Sequence, residues 1–471
     1  MVAVIVSLAA GIVGGAFFIL ASPSYGIWWL GLAALVPVYY VRLVSRSRAA
    51  VLAPAAFALA FAFHNAKWYF TFMADAKALA VLGCVAFALL YFVVLEVAAA
   101  AGRRRPALAP LALPALWVGV DILRTTIPGI RLGWFPLLAN TQVGNAALLQ
   151  LASWGGVHAV TFATVGIAAA AAYWLTRPLN PFRAAWALLF LAAYAAAWHG
   201  GAGALRARAE GPRLAVACVQ NGPVRGWRDF DFLADYESLT AEATAGAAVD
   251  VVVWPETLFA NYDDVSTRAA IGAAARDRGV YIVYDGYEKA AGGSYNVAVM
   301  VEPDGREVLK WRKRHPAPGE RSLKPPEGEP YGLYNASWGP TGLLVCYDDY
   351  FPWEARRLAR AGARVLFIPS NDHGYGDDYF YRVHLNQAIF RAVENRCAVA
   401  VAAYDGYSAL VDDAGRVVAS VEGHGRGWLA GTVAAGRGGA YYTRHPHVFN
   451  WLVAAAAALS LIGGAVNRRR R

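Results

Sequence analysis

Residues 341–371 read TGLLVCYDDYFPWEARRLARAGARVLFIPSN. A short apolar run ending at Val345 meets the acidic pair Asp348 and Asp349. Pro352 then opens a stretch of helical character that Gly362 closes, and a second apolar run follows from Val365 to Ile368. Strand, turn, helix and strand in this order predict an α/β layered domain. Cys346 stands at the strand-to-helix turn. There it reads either as a buried core thiol, cysteine being among the most buried residue types, or as a nucleophile whose thiolate is favoured near a helix start. Asp348 and Asp349 oppose ionisation unless a cation balances them, and Lys313 is a candidate for that cation.

The same alternation extends on both sides. RLAVACVQN (213–221), VDVVVWPE (249–256), GVYIVYDGY (279–287), YNVAVMVEPDG (295–305) and CAVAVAAYDG (397–406) read as strands. Helical stretches lie between them, including FDFLADYESLTAEATAG (230–246), TRAAIGAAARDRG (267–279) and YRVHLNQAIFRAVENR (381–396). EPDGR (302–306) and DDAGR (412–416) are expected hairpin turns.

The rest of the chain belongs to lipid. Of 471 residues 58% are hydrophobic and only 16% charged, beyond the apolar share of an ordinary soluble domain. Eight apolar segments approach the length of a membrane helix: Ala3–Leu20, Ile27–Val44, Val51–Ala66, Ala78–Ala101, Leu108–Leu123, Val157–Leu175, Ala184–Trp198 and Phe449–Val466. The first lacks the basic leader of a signal peptide and is followed at once by another apolar span. The net charge of +10 is concentrated in runs flanking these segments, which is a topology signal and excludes a nucleic-acid face. Arg42, Arg46 and Arg48, then Arg103 to Arg105, then Arg177 and Arg183, and finally Arg468 to Arg471 all fall on one side if both termini are cytoplasmic. The expected organisation is a membrane domain over 1–200 with about seven helices, a catalytic domain over 212–437 outside the cytoplasm, a last membrane helix over 446–467 and a cytoplasmic basic tail over 468–471. Four cysteines without a CxxC pair indicate neither a zinc site nor a disulfide framework, and the pairing of Cys218 with Cys397 stays open.

Three stretches carry reactive side chains beside strands. Glu256 follows VDVVVWP; it reads as a general base with a raised pKa or as a helix-start carboxylate. Lys313 lies in LKWRKRHPAPGE (309–320), where a lone lysine also reads as a solvated charge. Cys346 is the third. Together, in the order Glu256, Lys313, Cys346, they resemble the Glu-Lys-Cys triad of the nitrilase (carbon-nitrogen hydrolase) superfamily, and the resemblance extends from Arg213 to about Val433. It implies an α-β-β-α sandwich in which Glu256 is the base, Lys313 steadies the oxyanion and Cys346 is acylated.

The membrane half adds SPSYGIWWLGLAALVP (22–37) and the region 114–162, with Asp121 and Arg124 one helical turn apart and expected to pair. With a nitrilase-like domain between membrane helices, the whole resembles the apolipoprotein N-acyltransferase family. That resemblance implies a phospholipid acyl donor, a diacylated lipoprotein acceptor, residence in the cell membrane and no metal or organic cofactor. A monomer is expected. It also implies that Glu320 orients Lys313 or stabilises its charge, that Trp227 either holds lipid or simply packs, that Tyr347 follows the nucleophile as in the family and that Asn371 shapes the pocket wall. The chain departs from the family pattern at HPAPGE (315–320), which is one residue short, at AAYDGYS (402–408), and at Asp348, where Glu is usual. The triad leaves one competing chemistry, a membrane-tethered amidase or nitrilase that releases its acyl group to water.

Overall fold

The computed structural model describes all residues except 68–69, 71–76, 127–136, 208–209, 224–230, 247, 258–259, 318–319, 321, 375–377, 422 and 467–471, together with the side chains of 463–466. Trp227 and the basic tail 468–471 therefore lie outside the described residues. Two units form, one from residues 1–206 and 445–471, the other from residues 207–444.

The first unit is helical. Its helices are α1 (Val2–Ala21), α2 (Trp28–Ala33), α3 (Val36–Val44), α4 (Leu52–Ala66), α5 (Lys77–Arg104), α6 (Ala109–Thr126), α7 (Val157–Leu175) and α8 (Pro181–Arg206), with α13 (Val448–Val466) from the chain's end. Six helical stretches among the described residues are long and apolar enough to cross a bilayer. The second and the last of the expected spans are apolar helices of which the described residues are Trp28–Val44 and Val448–Ile462. The second is divided between α2 and α3, with Pro37 in the first turn of α3, where its missing N–H costs no helical bond.

Small residues let the helices of this unit approach. A Cβ on Gly11 would lie 2.5 Å from the Ala53 carbonyl oxygen, so α1 and α4 pack almost backbone to backbone there. Phe18, Phe57, Phe61, Phe87, Tyr91 and Trp117 fill the space between α1, α4, α5 and α6 with mostly edge-to-face contacts. On α6 the buried Asp121 and Arg124 pair at 3.0 Å, and the Tyr91 hydroxyl bonds to both.

The second unit is a two-sheet sandwich with helices outside. One sheet has the order β13 (Gly427–Ala434), β1 (Arg213–Gln220), β2 (Val251–Val253), β4 (Tyr281–Ala290), β5 (Gly293–Val301) and β6 (Glu307–Arg312), with β3 (Ala260–Asn261) paired to β4. The other runs β12 (Val417–Val421), β11 (Ser408–Val411), β10 (Ala398–Ala403), β9 (Val365–Ser370), β8 (Gly339–Leu343) and β7 (Tyr334–Ala336). The sheets pack through β1, β2 and β4 against β9, β10 and β11. Helices α9 (Phe232–Thr244) and α10 (Val265–Arg278) cover the first sheet, and α12 (Asp378–Asn395) lies on β10 and β11 of the second, flanked by α11 (Pro352–Ala361).

This is the α-β-β-α order. Strands covered on both faces read as continuous apolar runs rather than alternating ones, and β2, β9 and β10 are buried at every position. The stretch 341–371 folds as β8, a 3₁₀ turn over Cys346–Tyr350, α11 and β9, with β8 and β9 parallel in register Thr341 to Val365. Both expected hairpins form, joining β5 to β6 and β11 to β12, with Gly305 (φ +85°) and Gly415 (φ +81°) supplying the left-handed conformation each tight turn needs.

Candidate active site

Glu256 leaves the end of β2 through Trp254 and Pro255. The Trp254 indole donates to Thr240 on α9 at 3.0 Å, and the Glu256 amide donates across to the Ser370 carbonyl at the end of β9, at 3.2 Å. Residues from both sheets therefore fix this carboxylate. Asn296, on β5, does more: its side-chain amide donates to Glu256 Oε1 at 2.6 Å while its carbonyl accepts from the Lys313 amide at 2.8 Å. Reading the sequence alone missed Asn296. Its only signal was a polar residue in the run YNVAVMV, which an apolar strand has no packing reason to contain.

Lys313 follows β6 directly and is 1% exposed, so it is not a solvated charge. Its Nζ lies 2.8 Å from Glu256 Oε1 and 2.8 Å from Glu320 Oε1. Glu320 uses its second oxygen to accept from the Ala317 amide at 2.6 Å, which ties the shortened HPAPGE loop back to the lysine. His315 braces the same loop by stacking on Phe351 and contacting Glu354 at 2.9 Å.

Cys346 takes φ +44°, the left-handed region, in a residue that has a Cβ. Such a conformation costs about 1–3 kcal/mol and persists only where surrounding contacts enforce it. The Cys346 thiol donates to the Asn371 carbonyl at 3.7 Å and feels the charge of the Glu256 carboxylate. The Asn371 side chain itself accepts from the His373 amide at 2.9 Å. Tyr347 packs its ring 5.0 Å from Tyr350 and 5.3 Å from Phe351.

Asp348 turns away from the thiol and binds the loops that frame it. One oxygen accepts from the amides of Arg314 (3.0 Å) and His315 (2.9 Å), the other from the Trp311 indole (2.8 Å) and the Val345 amide (3.2 Å). Burial pushes its pKa up to about 6, against the pull of His315 and the Trp311 N–H. It remains mostly ionised at neutral pH, an acceptor for four donors.

The electrostatics favour proton transfer over a standing thiolate. Burial, then the Glu256 charge, raises the Cys346 thiol well above its ordinary value, although Lys313 pulls it down. A helix-start thiolate is therefore not the resting state: the 3₁₀ turn offers little dipole, and the thiol is desolvated beside a carboxylate. Glu256 is also raised, by burial first and opposed by Lys313. Burial works against the charge on Lys313, but Glu256, Cys346 and Glu320 together outweigh it and hold the ammonium well above its usual pKa. A raised carboxylate can take a thiol proton, and Lys313 keeps one N–H beyond its two carboxylate bonds for a developing oxyanion. Cys218, on β1, and Cys397, just before β10 of the other sheet, are both buried free thiols.

Comparison with known proteins follows the same division. A carbon-nitrogen hydrolase model matches residues 215–441, and a model of the apolipoprotein N-acyltransferase N-terminal domain matches residues 14–170. An apolipoprotein N-acyltransferase of Geobacter metallireducens is 27% identical over 411 residues, spanning 80% of this chain and 78% of its own. An (R)-stereoselective amidase of Pseudomonas sp is 30% identical over 203 residues, 38% of this chain and 72% of its own. A crystal structure of an amidase from Nesterenkonia sp. superposes with a TM-score of 0.41 at 22% identity, covering 51% of this chain and 94% of that one.

Proposed function

As the chain belongs to the apolipoprotein N-acyltransferase family, within the carbon-nitrogen hydrolase superfamily, we propose that it moves an acyl chain from a phospholipid to the free α-amino group of a lipoprotein's N-terminal diacylglyceryl-cysteine. The observation that carries this reading is the buried Lys313 ammonium, 2.8 Å from both Glu256 and Glu320, beside a thiol held at φ +44°.

In the proposed cycle Glu256 takes the Cys346 proton as sulfur attacks the ester carbonyl, and Lys313 donates to the tetrahedral oxyanion. Collapse breaks the C–O bond; Glu256 returns the proton to the departing oxygen, leaving a thioester and a lysophospholipid. The lipoprotein amine then attacks the thioester and gives its proton to Glu256. Collapse forms the amide, and the sulfur regains the proton. Both substrates reside in the bilayer, which gives a physical reason for joining an α/β catalytic unit to apolar helices. The arginine runs flanking those helices support a catalytic unit outside the cytoplasm, with both termini inside.

The test is to load the purified protein with acyl-labelled phospholipid and then add a diacylated lipopeptide. Label passing to the peptide amine supports transfer. Fatty acid released at one rate with or without lipopeptide would replace this reading with the hydrolysis that the amidase likeness favours.

A further inference from the structure

The mechanism leaves a second buried charge cluster unused. His384, on α12, is 5% exposed and lies between two carboxylates: its Nδ1 contacts Asp372 Oδ1 at 2.5 Å and its Nε2 lies 3.3 Å from Asp349 Oδ1. Asp349 is three residues beyond Cys346 in the nucleophile's turn, and Asp372 adjoins Asn371, whose carbonyl faces the thiol. The ligating atoms of Cys346, Asp372 and His384 all fall within 4.8 Å of one another. Such a trio suits a soft metal ion only with a neutral ring; Nδ1 hydrogen-bonds Asp372, Nε2 is near Asp349 without a hydrogen bond, and two flanking carboxylates favour the protonated imidazole, which has no lone pair to give a metal.

We infer that His384 is a positioning residue for the nucleophile: as an imidazolium clamped between Asp349 and Asp372 it locks the Cys346 turn to the Asn371–Asp372 segment and cancels their negative charge at the thiol. The inference rests on the proposal that Cys346 is the acylated nucleophile. Burial opposes the charge on His384, but Asp372 and then Asp349 outweigh it and hold its pKa well above the ordinary imidazole value. Other groups among the described residues also face this cluster. The Tyr350 ring lies 4.9 Å from the imidazole, Asp405 faces Asp372 from behind, and Arg391 on α12 donates to the Asp349 carbonyl at 3.0 Å. Glu256 and Lys313 reach the thiol from the other sheet. Without the imidazolium, Asp372, Glu256 and Glu320 oppose thiolate formation and Lys313 favours it.

The experiment measures iodoacetamide alkylation of Cys346 against pH in the full-length protein in detergent, read by peptide mass, alongside acyl-transfer kinetics. His384→Gln should move the alkylation midpoint alkaline by about one unit, making alkylation about tenfold slower at neutral pH. The turnover number should fall with it, while the phospholipid KM changes by less than about twofold. The double variant His384→Gln/Asp372→Asn removes one charge of each sign and should bring the midpoint back toward the wild-type value, an outcome a purely packing role would not give. An unmoved midpoint in H384Q, or a double variant further from wild type than the single, overturns the inference. If H384Q does not fold, Asp372→Asn alone decides, with an acid shift expected and an unmoved or alkaline midpoint overturning it. Acyl transfer that persists at the wild-type rate in Cys346→Ala would overturn the nucleophile proposal itself, and this inference with it.

Discussion

Asp348→Asn changes one atom and should disable the site. The carboxylate accepts four N–H groups, two on each oxygen, from Trp311, Arg314, His315 and Val345. Asparagine keeps one oxygen and turns an NH2 group toward the other two donors, leaving them buried and facing a donor. Each unsatisfied buried polar group costs about 1–3 kcal/mol, so the loss is about 2–6 kcal/mol. For a unit of this size that lowers the melting temperature by at least about 4 °C, at 2–4 °C per kcal/mol. Activity should fall further than stability, because the four donors belong to the end of β6 and the loop on either side of Lys313, and to the strand end before Cys346. Thermal unfolding of the full-length protein in detergent, followed by tryptophan fluorescence, gives the first number, and transfer at a temperature where both proteins are folded gives the second. A variant within about 0.5 kcal/mol of wild type and fully active would refute the assignment of Asp348 as the clamp between these loops.

Lys313→Met should lower the rate of acyl transfer by about 10²–10³-fold with little change in lipid binding, as for loss of an oxyanion donor; equal turnover in steady-state assays would remove that role. Because Glu256 is raised and must be ionised to act, the acylation rate should fall as pH drops through a value above the ordinary glutamate pKa of about 4.3. A rate profile flat down to that value would contradict a raised base. In the membrane unit, Asp121→Asn removes the carboxylate that Arg124 bonds at 3.0 Å and, as for breaking a buried ion pair, should cost about 3–5 kcal/mol, whereas Asp121→Leu/Arg124→Leu should recover most of it; unfolding in detergent separates the two.

Most of the catalytic fold is legible in the sequence because its central strands are covered on both faces, so that runs such as VLFIP and AVAVAA are unbroken by polar residues. The edge strands β6 and β12 mix lysine, arginine and exposed valine with apolar residues, and they lack that signature. Glu256, Lys313 and Cys346 are visible through their places next to strands. Asn296, Asp372 and His384 are not, because each acts through a neighbour distant in the chain: 40 residues separate Asn296 from Glu256. Asp348 shows the same limit. Its charge is plain in the sequence, but its direction, away from the thiol and into two loops, is set by tertiary contacts.

The most direct measurement is the mass of the Cys346 peptide after incubation with phospholipid in the absence of any acceptor. A single acyl chain should appear on Cys346, be released by hydroxylamine, and move to an added lipopeptide amine in step with its loss from the enzyme. Continued transfer with no acyl adduct on Cys346, or with the adduct on another residue, would contradict the thioester cycle.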